Sequence, residues 1–146
     1  MFRKWTILLA VMTAVAVTFA GISVADDEDS PAHKLMEKVS STGNAIKKAT
    51  RTAVAYKKSQ AELPKLAEVM LDLAKKAKDM KEPAAKQKKS YAEWQKLCDD
   101  WIKETEKFKE VVAKPATKQD AAKKAYNTVN TTCTDCHKIF RVEDDE

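Results

Sequence analysis

Between Tyr91 and Val112, the positions Tyr91, Trp94, Cys98, Trp101, Thr105, Phe108 and Val112 follow one another in alternating steps of three and four. An α-helix returns a side chain to the same face every 3.6 residues, so this spacing gathers all seven on one stripe. A stripe of this kind is buried by neighbouring helices that lie nearly parallel to it. A strand would need alternation with a period of two, and the chain carries no such signal.

Three further segments repeat the pattern. Ser30-Pro31 reads as a helix start, with Ser as N-cap and Pro at the first helical position. Leu35, Met36, Val39, Gly43 and Ile46 then mark one face of a helix running to about Arg51. A second apolar face comprises Leu66, Val69, Met70, Leu73, Ala77 and Met80, with Pro64 starting or kinking the helix. Glu82-Pro83 reads as a chain break, and Lys114-Pro115 as the end of the third helix. Thr117 with Asp120 resembles a capping box ahead of a fourth helix, whose face carries Ala122, Ala125, Val129, Cys133, Cys136 and Phe140. The connections are short, which favours antiparallel neighbours. The expected fold is all-α: an antiparallel, up-down-up-down four-helix bundle.

Residues 1–25 read as an export signal. Arg3 and Lys4 form a basic start, Ile7 to Ala20 is apolar, and Ser23-Val24-Ala25 offers small residues for cleavage after Ala25. An uncleaved membrane anchor is the rival reading. Cleavage would leave residues 26–146 as one domain with a single glycine, Gly43. Loss of Arg3 and Lys4 takes the formal charge from +5 to +3. Asp26-Asp27-Glu28-Asp29 and Glu143-Asp144-Asp145-Glu146 form acidic tails, expected to be disordered, around a strongly basic body. The basic body reads first as solvated lysine faces. Its functional alternative is steering toward acidic partner proteins or an anionic surface. No aromatic-basic motif points to nucleic acid.

Chemistry concentrates in Cys133-Thr-Asp-Cys136-His137. On a helix these three side chains project from one face. C-x-x-C-H is the attachment string of haem c: two thiols form thioethers and the imidazole binds iron. A zinc site needs a second ligand pair, and none exists. A thioredoxin-like dithiol belongs beside a βαβ pattern. A plain disulfide clip on a haem-free interaction protein is the reading from another class.

In an antiparallel bundle the start of the first helix lies beside the end of the fourth. Met36 is then at a depth similar to His137, on an adjacent helix, and is the expected distal iron ligand. His33, Met80 and an open distal side are the alternatives. Arg141, one turn beyond His137, suits a haem propionate or the solvent equally. Gly43 costs about 1 kcal/mol inside a helix relative to alanine. It calls for a reason, either room for the macrocycle or helix packing. Cys98 reads as a small buried residue, with an intermolecular disulfide, and hence a homodimer, as the sharper alternative. Trp94, Trp101 and Phe108 read as core.

Residues 133–141, Cys-Thr-Asp-Cys-His-Lys-Ile-Phe-Arg, resemble the C-x-x-C-H-x-x-Phe/Tyr-Arg ending of class II c-type cytochromes, the cytochrome c′ group and its His/Met-ligated relatives. Met36-Glu37-Lys38-Val39 is similar to the methionine-bearing segment of the periplasmic four-helix b-type cytochrome. The resemblance implies one covalent haem c on Cys133 and Cys136, His137 as proximal ligand and Met36 as distal ligand. The implied protein is a periplasmic one-electron carrier serving redox partners, not an enzyme. Cytochrome c′ itself leaves the distal face free and binds NO or CO there, which is the alternative function.

Overall fold

The computed structural model describes residues 30–141. The export segment, both acidic tails and their expected disorder lie outside them. Among the described residues all regular structure is helical: α1 (Pro31–Thr50), α2 (Ala53–Ser59), α3 (Leu63–Lys78), α4 (Glu82–Lys86), α5 (Tyr91–Val112) and α6 (Gln119–Phe140). None of these helices is long and apolar enough to cross a membrane.

The start of α1 follows the sequence signal. Ser30 is extended, and its hydroxyl accepts the His33 N–H at 3.1 Å, with Pro31 following. The helix ends where the buried Thr50 hydroxyl donates back to the Ile46 carbonyl at 2.9 Å. Two short helices depart from the expected four. Thr52 caps α2, which buries only Tyr56 and leaves Val54 67% exposed. No apolar period marks that segment, and distant contacts hold it. Tyr56 donates to the Thr117 carbonyl at 3.0 Å, and Gln60 at its C-terminal end donates to the Pro115 carbonyl at 2.8 Å. Glu82-Pro83 starts α4 instead of breaking the chain, because the first turn of a helix has no use for the missing proline N–H. Lys88 then reverses the chain at φ 51°.

Pro64 starts α3 rather than kinking it. On that helix the sequence misplaced one flank. Val69 is 47% exposed, whereas Ala67, Leu71 and Ala74 are buried. The Thr117–Asp120 capping box does not form. Lys118 occupies the N-cap position of α6 without a side-chain bond, and the Thr117 hydroxyl donates to the Val111 carbonyl at 2.5 Å. Closing the α5 end competes for the same hydroxyl and wins.

The third-helix seam lies where expected: Trp94, Cys98, Trp101, Thr105, Phe108 and Val112 are all buried. α1 packs on α3, α3 on α5, α5 on α6 and α6 on α1. Three of these pairs show their direction through contacts that join the start of one helix to the end of the next. Trp94 donates its indole N–H to the Ala77 carbonyl at 2.8 Å, and Lys109 pairs with Glu68, so α3 and α5 are antiparallel. The Trp94 and Phe140 rings meet edge-to-face at 5.2 Å, and those of Phe108 and Tyr126 at 5.6 Å, so α5 and α6 are antiparallel. Gln119 donates to the Thr50 carbonyl at 2.6 Å and Tyr126 to the Gly43 carbonyl at 2.9 Å, so α6 and α1 are antiparallel.

Candidate functional site

Cys133, Cys136 and His137 lie in the last two turns of α6. Cys133 and Cys136 are half-buried, packed against the core, and both thiols are free. His137 is exposed. The motif thus borders the buried stripe of α6, which passes through Val129 and Phe140, and Cys136 lies close enough to the buried Cys98 of α5 to raise its thiol's pKa. Met36 and Val39 are also half-buried against the core, on α1.

The helical register relates these groups. Thr50 meets Gln119, and Gly43 meets Tyr126. Seven residues separate the two contacts on each helix, and both helices rise about 1.5 Å per residue. They therefore stay in step, and seven residues further Met36 comes level with Cys133. His137 lies one turn beyond. Side chains on a helix lean toward its N-terminus. Since the helices are antiparallel, Met36 leans toward the level of His137 and His137 toward that of Met36.

The electrostatics favour neutral groups. Burial pushes the Cys133 thiol up. It pushes Cys136 up to about 11, with Cys133 adding to it. A reactive dithiol needs the opposite shift, usually from a helix N-terminus. These thiols sit at a helix C-terminus, whose partial negative charge also disfavours a thiolate. That argues against the redox-dithiol reading. Desolvation holds the His137 imidazole below its ordinary value, and the neighbouring Arg141 cation adds to this. A neutral imidazole is the form that binds a metal.

The remaining candidates differ in exposure. His33 is exposed, its backbone N–H is bound to Ser30, and its imidazole lies 3.8 Å from Glu37. Met80 is two residues beyond α3 and packs against the core. Arg141 is the exposed C-cap of α6, its N–H bonded to the His137 carbonyl. Gly43 has a packing reason. A Cβ there would stand 2.9 Å from the Tyr126 hydroxyl and 3.7 Å from the Met70 methyl.

Two features escaped the sequence reading. Tyr126 is buried and ties α6 to α1, and its position seven residues before Cys133 was the available signal. Trp101 is buried as expected, but its indole Nε1 has no hydrogen-bond partner among the described residues. Buried N–H groups are nearly always paired.

This donor set fits haem c. Cys133 and Cys136 would carry the two thioethers, His137 would be the proximal ligand and Met36 the distal one. The half-buried surfaces of α1 and α6 supply apolar walls. In comparisons with known proteins, the chain matches no family model, no curated protein and no solved structure.

Proposed function

We propose that this chain is an exported, monohaem c-type cytochrome that carries single electrons and catalyses no reaction of its own. Its four long helices, α1, α3, α5 and α6, are read as an antiparallel up-down-up-down four-helix bundle. One observation carries the proposal. Two free, half-buried thiols share a helix face with His137, level with a half-buried methionine on the adjacent helix. When bound, the haem supplies the Fe(III)/Fe(II) couple.

The chain's residues do the rest. Cys133 and Cys136 fix the macrocycle, so that it is retained outside the cell interior. His137 and Met36 hold the iron from both sides, and a thioether ligand favours the reduced form relative to a second imidazole. Trp94, Phe140 and the aliphatic core exclude water from the inner edge. The basic surface suits acidic redox partners, and export to the periplasm agrees with residues 1–25. The alternative, a five-coordinate cytochrome c′ that binds NO or CO, differs only in whether Met36 reaches the iron.

Expression with haem-maturation machinery tests both levels. Mass spectrometry of the denatured protein should show one retained haem, and a bare chain mass would reject the proposal. Absorption and EPR spectra should show six-coordinate, low-spin iron. Met36→Ala should turn it high-spin, open it to CO and lower its potential. High-spin iron with ready CO binding in the wild type would instead favour the cytochrome c′ reading. A low-spin spectrum unchanged in the variant would move the distal position to His33.

A further inference from the structure

We propose that Cys98 and Cys136 form a disulfide across the α5–α6 contact when the chain carries no haem, and that this bond holds Cys136 back from haem attachment until a thiol reductant opens it. The second half rests on the haem reading; the first does not.

Two ring contacts set the register. Trp94 meets Phe140 and Phe108 meets Tyr126, steps of fourteen residues on both antiparallel helices. Cys98 lies four residues inside Trp94, and Cys136 lies four inside Phe140. Equal steps along helices of equal rise stay level, and a step of four returns each cysteine to the face of its aromatic neighbour. The two thiols therefore oppose each other across the contact, and Cys136 is near enough to help push the Cys98 thiol up. Axes of packed helices lie about 8–10 Å apart and Cα atoms stand about 2.3 Å off each axis. Opposed residues then have Cα atoms about 3.5–5.5 Å apart, which overlaps the window of about 4.4–6.8 Å that a disulfide spans.

Other pairings fit worse. Cys133 is level with Trp101, about 4.5 Å along the helix from the level of Cys98. Cys133 and Cys136 are three apart on one helix, where Cβ atoms are about 5–6 Å apart. A disulfide needs about 3.5–4.5 Å between them, so that bridge would unwind the end of α6. Cys98 is 2% exposed, out of reach of a second chain.

Disulfides persist in oxidising compartments outside the cell interior. The oxidant is a disulfide-bearing protein or small molecule. The half-buried Cys136 Sγ attacks one of its sulfurs, and the Cys136 proton leaves with the first oxidant thiol. Cys98 Sγ then attacks the Cys136 sulfur of the mixed disulfide, and its proton leaves with the second thiol. Two electrons and two protons pass to the oxidant, and a dithiol reductant reverses the sequence. While bonded to Cys98, Cys136 has no thiol to add to a haem vinyl group.

The test uses the full-length chain, exported without haem-maturation machinery, with free thiols alkylated at lysis. Mass spectrometry of its unreduced peptides should join the Cys98 peptide to Cys136 and find Cys133 alkylated. The bond should persist in Cys133→Ser and vanish in Cys136→Ser. Three alkylated cysteines, or a Cys133–Cys136 bond with Cys98 alkylated, overturns the proposal, and the wild-type map alone reads this. With maturation machinery present, Cys98→Ala should retain haem on a larger fraction of chains than the wild type. Added thiol reductant should raise the wild-type fraction and close that gap. A wild-type fraction that ignores the reductant and equals that of Cys98→Ala overturns the block on haem attachment. A reduced wild type that never retains haem would overturn the haem reading itself, a result distinct from a missing Cys98–Cys136 bond.

Discussion

A single close approach decides the residue at position 43. The Tyr126 hydroxyl donates to the Gly43 carbonyl at 2.9 Å and stands where a Cβ would need to be. Gly43→Ala gains about 1 kcal/mol of helix propensity but forces the hydroxyl aside, and overpacking costs about 1–3 kcal/mol. The net effect should be destabilising. Tyr126→Phe removes the obstructing oxygen, so the double variant should be more stable than the sum of the single effects requires. Urea unfolding of the four proteins measures this, and strict additivity would reject the contact as the cause. Two buried acids also make the fold sensitive to alkali. Burial pushes the Cys98 thiol from 9.0 up to about 12, with Cys136 adding to it. It likewise pushes the Tyr126 phenol from 10.0 up to about 12. The unfolded chain loses these protons first. Their contribution is therefore complete below about pH 9 and is lost as pH rises toward 12. Urea midpoints should fall across that window, and the fall should be shallower in Cys98→Ala. Midpoints constant from pH 8 to 11 would contradict the assignment.

The ends of the helices show how local chemistry and distant contacts share control of an element. Ser30 was legible as a cap because Ser-Pro opens an amphipathic run, and the hydroxyl does accept the His33 N–H. Ser30→Ala should cost about 1 kcal/mol, read as a lower thermal midpoint, and should loosen the turn that precedes Met36. α6 was misread. Thr117 carries the right chemistry for a cap, but its hydroxyl is spent on Val111, leaving extended Lys118 at the N-cap with no side-chain bond. Lys118→Ser should supply the missing acceptor and stabilise the protein by about 0.5–2 kcal/mol. An unchanged melting temperature would show that the first turn of α6 is satisfied by other means. The short α2 was invisible for a related reason. Its seven residues include one buried side chain, and the bonds that order it reach across to residues 115 and 117.

At the scale of the molecule, the described residues enclose a well-filled core. Phe108, Val129 and Ile46 are fully buried there, and Trp94 and Phe140 close the far end of the α5–α6 contact. The flank where α1 meets the end of α6 differs. Met36, Val39, Cys133 and Cys136 are only half-buried. A group bound there in the folded state adds stability by mass action or, if covalent, by permanent occupancy. The haem-free double variant Cys133→Ala/Cys136→Ala should therefore melt well below the holoprotein and show faster amide exchange at the start of α1 and the end of α6. Equal midpoints and equal exchange would argue that this flank needs no partner.

The sequence by itself determined the helical class, the seam of α5, the start of α1 and the face shared by Cys133, Cys136 and His137. Each of these follows from the 3.6-residue period or from a cap a few residues away, and both act locally. Tertiary structure decided the rest. Val69 points outward while Leu71 is buried, because neighbouring helices choose which edge of an amphipathic stripe is covered. Position 43 is glycine because of a hydroxyl 83 residues away. Met36 is level with Cys133 because two hydrogen bonds set the stagger of α1 on α6. Whether a buried tryptophan is satisfied depends on which carbonyls its neighbours present. Trp94 and Trp101 look alike on the seam, and only packing distinguishes the one that finds Ala77 from the one with no acceptor among the described residues.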